Sequence, residues 1–233
     1  LEANPRASRT VPFVAKATGQ PFASIAAKVM AGEPIASFGI GAGPIVGPRV
    51  AVKEAVFPFS RFPGVDPLLG PEMRSTGEVM GLDTSFDAAY LKSQIAAGMS
   101  LPASGCVFIS VRENDKPAIE QTARDIAALG FTIIATSGTA QYLSTRGIAV
   151  QPVNKVAEGQ PHVVDALING KVQLVFNTTE GAQSLLDSAS IRRAALAQGI
   201  PYYTTVSGAK AAVQAIRALK TRPLEAGALQ TYS

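Results

Sequence analysis

Cysteine and histidine are nearly missing from this chain: Cys106 is the one thiol and His162 the one imidazole. A single cysteine excludes an internal disulfide and any cysteine-cluster metal site, and it fits a reducing, cytoplasmic setting. A single histidine removes most Ser-His-Asp and Cys-His nucleophilic schemes. No apolar run approaches the roughly 18 residues that a membrane span needs. Basic residues are not massed either. Lys and Arg number 21 against 17 Asp and Glu, a net charge of +4, with no basic block interleaved with aromatics. Neither nucleic acid nor a membrane is indicated as a partner; a surplus of this size suits small anionic ligands. The start, Leu1-Glu2-Ala3-Asn4-Pro5-Arg6, has neither an initiator Met nor a charged-then-apolar signal pattern. It opens as if inside a strand, which leads us to expect a piece of a longer protein.

What the chain does have is 47% hydrophobic and 16% charged residues over 233 positions. That is a globular composition, long enough for one large or two small domains. Ala23, Ile25, Ala26, Val29 and Met30 recur at helical spacing, with Gly32 as a stop. Residues 33–50 are rich in Gly and Pro and read as an irregular loop. Val52 to Phe59 is strand-like. The stretch Phe62-Pro-Gly-Val-Asp-Pro-Leu-Leu-Gly-Pro-Glu-Met-Arg-Ser-Thr-Gly-Glu78 carries turn residues throughout and excludes a regular element. A helix is expected from about Ser85 to Ala97, with Phe86, Ala89, Tyr90 and Ile95 as its apolar stripe. Residues 98–105 look like a linker, which divides the chain into 1–104 and 105–233.

Beyond that linker the pattern becomes regular. The apolar runs Cys106–Val111, Phe131–Ala135, Ala149–Val153 and Val172–Asn177 are short, β-branched and unalternating, as in strands buried on both faces. Pro201–Thr204 is a last short strand. Helical stretches lie between and after them: Lys116–Leu129, Thr139–Arg146, His162–Asn169, Ser184–Gln198 and Gly208–Leu219. Alternation of this kind predicts an α/β fold, an open parallel five-stranded sheet flanked by helices.

In such a sheet ligands bind beyond the carboxyl ends of the strands. Thr136 and Thr139 flank Gly138 at a helix start, where free N–H groups and the helix dipole favour an anion. Lys116 and Lys155 add positive charge from neighbouring loops, and Asn177 and Thr179 offer hydrogen bonds to a ribose or another polar group. Ordinary helix capping explains any one of these residues; their coincidence with two lysines points to a phosphate pocket. Cys106 reads as a small core residue, His162 as a cap or packing residue, and Arg192-Arg193 as a solvated helix face. Glu2 and Asn4, two apart on a strand, share one face, and both are oxygen ligands suited to Mg²⁺. Arg6 and Arg9 follow closely and can serve nucleotide phosphates. A polar strand edge explains the same spacing.

These residues resemble a known family. Glu2-Ala-Asn-Pro-Arg6-Ala-Ser-Arg9-Thr-Val-Pro-Phe is similar to the end of the second ATP-grasp domain in the large subunit of carbamoyl phosphate synthetase. Lys53-Glu54 and the Pro/Gly-rich stretch from Phe62 to Gly81 resemble the segment that follows it there. The remainder, to about Lys220, is similar to that subunit's methylglyoxal-synthase-like regulatory domain. The resemblance implies a role in making carbamoyl phosphate from bicarbonate, ATP and glutamine-derived ammonia, for arginine and pyrimidine synthesis. It implies ATP and Mg²⁺ or Mn²⁺ as cofactors, with Glu2 and Asn4 as metal ligands and Arg6 and Arg9 as catalytic residues. It further implies a small glutaminase subunit as partner and homo-oligomers through the regulatory domain. Nucleotide monophosphates such as IMP and UMP would be effectors, with the phosphate on Lys116, Thr136, Thr139 and Lys155 and the ribose side on Asn177 and Thr179. Ornithine would fall on Glu54, Tyr202 and Thr204, together with acidic residues upstream of Leu1. Two features depart from the enteric-type pattern: Ser137 replaces a histidine, and the 39–50 loop has no counterpart. Effector preference therefore stays open. A lyase of the methylglyoxal synthase type needs an aspartate base near the phosphate, and Asn177-Thr-Thr-Glu-Gly181 supplies none. An IMP cyclohydrolase of the same fold has a fusion partner unlike residues 1–104.

Overall fold

A computed structural model of the chain describes residues 9–41, 43, 47–62, 64–70 and 73–228. The chain begins with two helices, α1 (Thr10–Thr18) and α2 (Phe22–Met30), and then an antiparallel ribbon of β1 (Val50–Val56) and β2 (Gly77–Asp83). Helix α3 (Phe86–Ala96) packs onto that ribbon. Then come β3 (Cys106–Ser110), α4 (Lys116–Ala128), β4 (Thr132–Ala135), α5 (Ser137–Ser144), β5 (Gln151–Pro152), α6 (Val163–Ile168), β6 (Leu174–Asn177), α7 (Gly181–Asp187), α8 (Ala189–Ala197), β7 (Tyr202–Tyr203) and α9 (Val206–Thr221).

The five strands β3 to β7 pair in the order β5-β4-β3-β6-β7, all parallel, as expected from the sequence. Successive residues of a strand face opposite sides, so a strand covered by helices on both sides must be apolar throughout. Val107 and Ile109 join Ile119, Ile126, Leu143 and Ile216 in one buried layer, whereas Phe108 between them packs with Val163, Leu167 and Val175 in the other. The end strands β5 and β7 have shrunk to two residues each.

Several expectations are revised. The first helix, α1, has no counterpart in the sequence reading: it carries Pro12 and β-branched residues, and Gly19 ends it in a left-handed conformation at φ 71°. The described residues of the Pro/Gly-rich stretch are irregular, as expected, up to Thr76, but β2 begins at Gly77. The long helix expected over 184–198 is two helices that meet at Ser188, and the Arg192 side chain occupies the Leu185 carbonyl near their junction. The apolar stripe expected on α3 holds in part: Ala89 is buried and Tyr90 packs against the core, but Phe86 and Ile95 are exposed while Ser93 and Gln94 are buried. Buried polar groups need partners, and both have them: Ser93 donates to the Tyr90 carbonyl, and Gln94 bridges two side chains. Leu91 of α3 shares the buried layer of the parallel sheet, and α3 lies against α9.

Candidate functional site

The strand order reverses at β3. The chain steps outward through β4 and β5, then returns to β6 on the other side of β3. Loops leaving β3 and β6 therefore diverge, and a crevice opens at their carboxyl ends. Its floor is closed by hydrogen bonds that the sequence did not disclose. Thr178 donates its N–H to the Ser110 carbonyl at 3.0 Å and accepts at Oγ1 from the Arg112 N–H at 3.1 Å.

Thr136 and Thr139 stand beside this crevice at the start of α5. Both are buried. Thr136 is the residue before the first turn, with extended backbone (φ −61°, ψ 150°), and its hydroxyl donates to Ser110 Oγ at 3.2 Å. Thr139 Oγ1 accepts from the Val111 N–H at 3.3 Å. The two hydroxyls thus tie the end of β3 to α5 and leave the first-turn amides without intrahelical acceptors. Lys116, the first residue of α4, reaches over this helix start. Its Nζ would lie 3.5 Å from a Cβ placed on Gly138. The same ammonium is paired with Glu113 Oε2 at 2.5 Å, and that glutamate is 83% exposed. Lys155 stands exposed on the loop after β5, where its N–H donates to Glu158 Oε2.

Asn177 ends β6, is buried, and donates from Nδ2 to Tyr202 Oη at 2.6 Å. Thr179, expected with Asn177 on the ribose side, follows two residues after it. It lines a cavity of about 580 Å³ together with Glu54, Tyr202 and Thr204. The structure thus gathers the expected ornithine residues into one cavity, adds Thr179 to it, and connects it to Asn177 through Tyr202. One wall is the segment after β1, including Phe57 and Phe59, whose rings stack at 5.3 Å.

Glu54 is the acid of this cavity. Burial pushes its carboxyl above the ordinary range, opposed by a hydrogen bond from Gln94 Nε2 at 3.0 Å. Arg192 lines the same cavity but is paired with Asp66, and among the described residues no lysine or arginine forms an ion pair with Glu54. A half-buried carboxylate with no cation favours a cationic partner from outside.

Arg192 corrects the sequence reading most sharply. It is not on a solvated face but buried, with its guanidinium clasping Asp66 through Nε at 2.7 Å and Nη2 at 2.6 Å. Arg193 beside it is exposed. His162 caps α6 as expected: Nδ1 accepts from the Asp165 N–H, and Asp165 Oδ2 accepts from the His162 N–H. Cys106 is half-buried and burial pushes its thiol up, which suits a packing role over a nucleophilic one. Of the expected metal and ATP residues, Arg9 stands exposed just before α1, while Glu2, Asn4 and Arg6 lie outside the described residues. Among the described residues no cluster of three or more His, Cys, Asp or Glu could hold a metal ion.

Comparison with known proteins agrees with this architecture. Residues 118–204 match the MGS-like domain. The whole chain is 56% identical to the carbamoyl phosphate synthase large chain of Mesorhizobium japonicum, 57% identical to that of Rhizobium meliloti and 54% identical to that of Myxococcus xanthus. It spans 20%, 20% and 21% of those proteins. The chain therefore carries an MGS-like domain and belongs over its whole length with the carbamoyl phosphate synthase large chains, as a segment of about one fifth of their length.

Proposed function

We propose that residues 105–220 form an allosteric effector domain that binds a nucleotide monophosphate, and that the adjoining cavity takes ornithine. Together they regulate ATP-dependent carbamoyl phosphate synthesis in a longer enzyme. The observation that carries this reading is the placement of the Lys116 ammonium over Gly138 at the start of α5. An ammonium above unsatisfied first-turn amides is a phosphate-binding arrangement. The counter-ion already there, Glu113, is 83% exposed although the Lys116 side chain is only 12% exposed, so the glutamate can turn out to water and yield its place to a phosphate. Lys155 supplies a second cation from the next loop, and Thr136 and Thr139 hold the helix start in place. Asn177 serves the ribose side. Thr179, which lines the cavity next to it, serves both.

Residues 1–104 are assigned to the tail of the ATP-grasp domain. There Glu2 and Asn4 are the metal ligands, a carboxylate and an amide oxygen suited to Mg²⁺ or Mn²⁺. The metal neutralises phosphate charge when bound, and Arg6 and Arg9 hold ATP phosphates. In this reading a small glutaminase subunit delivers ammonia, the enzyme is cytoplasmic, and the 233 residues alone make no carbamoyl phosphate. The effector acts by binding one state of its domain better than another, which shifts the ATP site by its differential affinity.

The test is made in the full enzyme. The double variant Lys116→Ala with Thr136→Ala should flatten the response to UMP and IMP, raising the half-effective concentration by about 100-fold, while the response to ornithine persists. Unchanged nucleotide curves would refute the pocket.

A further inference from the structure

Gln94 is a polar side chain with only 4% of its surface exposed, on a helix that otherwise buries small and apolar residues. Its amide is held at both ends. Nε2 donates to Glu54 Oε2 at 3.0 Å, and Oε1 accepts from Tyr203 Oη at 3.1 Å. A carboxylate only accepts and a phenol donates, so chemistry dictates which way the amide points. Behind Tyr203 lies Tyr90, one turn before Gln94 on α3, and the two phenols interact. Tyr90, Tyr203 and Gln94 are the groups that face Glu54 from α3 and β7; Arg192 lines the same cavity, but its guanidinium is paired with Asp66. Burial pushes Tyr90 up to about 12 and Tyr203 above the ordinary phenol range, so both stay protonated donors at neutral pH.

We propose that Gln94 is a positioning residue for the Glu54 carboxylate, locked in one orientation by Tyr203 so that a cationic ligand meets a fixed acceptor. This rests on the reading of Glu54 as the cation acceptor of the cavity. Each hydrogen bond in the relay donates toward Glu54, which favours its charged form. The relay also reaches β7, where Tyr203 adjoins Tyr202 and, through it, Asn177. The two tyrosines thus connect the sheet's crevice to the cavity acid through adjacent residues of one strand.

The test has two arms, the first on the 233-residue chain and the second on the full enzyme. In the first, glutamate labelled with ¹³C at the carboxyl carbon reports the titration of Glu54 without any ligand. Gln94→Met, which keeps the volume, should raise the Glu54 midpoint by about one pH unit, the worth of one hydrogen bond to a charged group. Tyr203→Phe should raise it by less. A midpoint unmoved in Gln94→Met overturns the proposal. In the second arm, calorimetric titration with ornithine should show about tenfold weaker binding in Gln94→Met, with UMP affinity unchanged. That loss should vanish in a Glu54→Gln background, because a positioning residue has nothing left to position. An equal loss in that background marks a merely structural role and also overturns the proposal. Absence of ornithine binding by the unaltered full enzyme sinks the cavity reading instead, and the first arm still decides the role of Gln94.

Discussion

Asp66→Ala should destabilise the fold by about 3 kcal/mol, the lower end of what breaking a buried ion pair costs. Arg192 has 5% of its side chain exposed and Asp66 has 23%. Removing the aspartate strands a guanidinium that water reaches poorly. Removing the arginine leaves a carboxylate that water can reach, so Arg192→Leu should cost less, about 1–2 kcal/mol. Urea unfolding followed by circular dichroism checks the order of the two, and a reversed order contradicts it. The pair also sets a pH dependence. Its hydrogen bonds from Arg192 hold the Asp66 carboxyl below the usual carboxylate value. A depressed carboxylate contributes stability that is fully present above its unfolded value, near 3.9, and is lost as pH falls through the folded one. Acid unfolding of Asp66→Asn should therefore be shallower in that window. The consequence reaches the cavity, since Pro67, Leu68 and Leu69 next to Asp66 form part of its wall.

The second large effect is steric. A Cβ on Gly81 would lie 1.9 Å from the Ala89 carbonyl oxygen and 2.6 Å from the Ser93 nitrogen. Both are backbone atoms of α3, so no side chain can turn aside, and the helix must lift from the ribbon. Gly81→Ala should cost about 3 kcal/mol, as severe overpacking does. Gly77 on the same strand has nothing within 4 Å of its would-be Cβ, so Gly77→Ala should stay within about 0.5 kcal/mol. Equal denaturation midpoints for the two variants would contradict the close approach. Because α3 carries Gln94, lifting it would also part that amide from Glu54.

The parallel sheet was legible because its strands are buried on two sides, so their apolar runs are continuous and their ends are marked by Thr, Asn and Lys. The crevice was legible for the same reason: topology alone decides which loops meet. Contacts between distant residues were not. Asp66 sits among prolines and glycines that announce only turns, and its partner lies 126 positions away. Gln94 and Ser93 break the helical apolar pattern, which periodicity reads as a solvent face when their partners lie on other elements. Strand β2 was hidden by Gly77, Glu78, Gly81 and Asp83, whose low strand propensity is outweighed by pairing with β1 and packing under α3.

Phosphate binding is proposed at the start of α5 beside Lys116. Its most direct test is calorimetric titration of the chain with UMP and IMP, alongside Lys116→Ala. At least one nucleotide should bind saturably, with one site per chain, and about tenfold or more weaker in Lys116→Ala through loss of a charge-assisted contact. Saturable binding that is equally tight in Lys116→Ala, or no binding of either nucleotide by the unaltered chain, would contradict it.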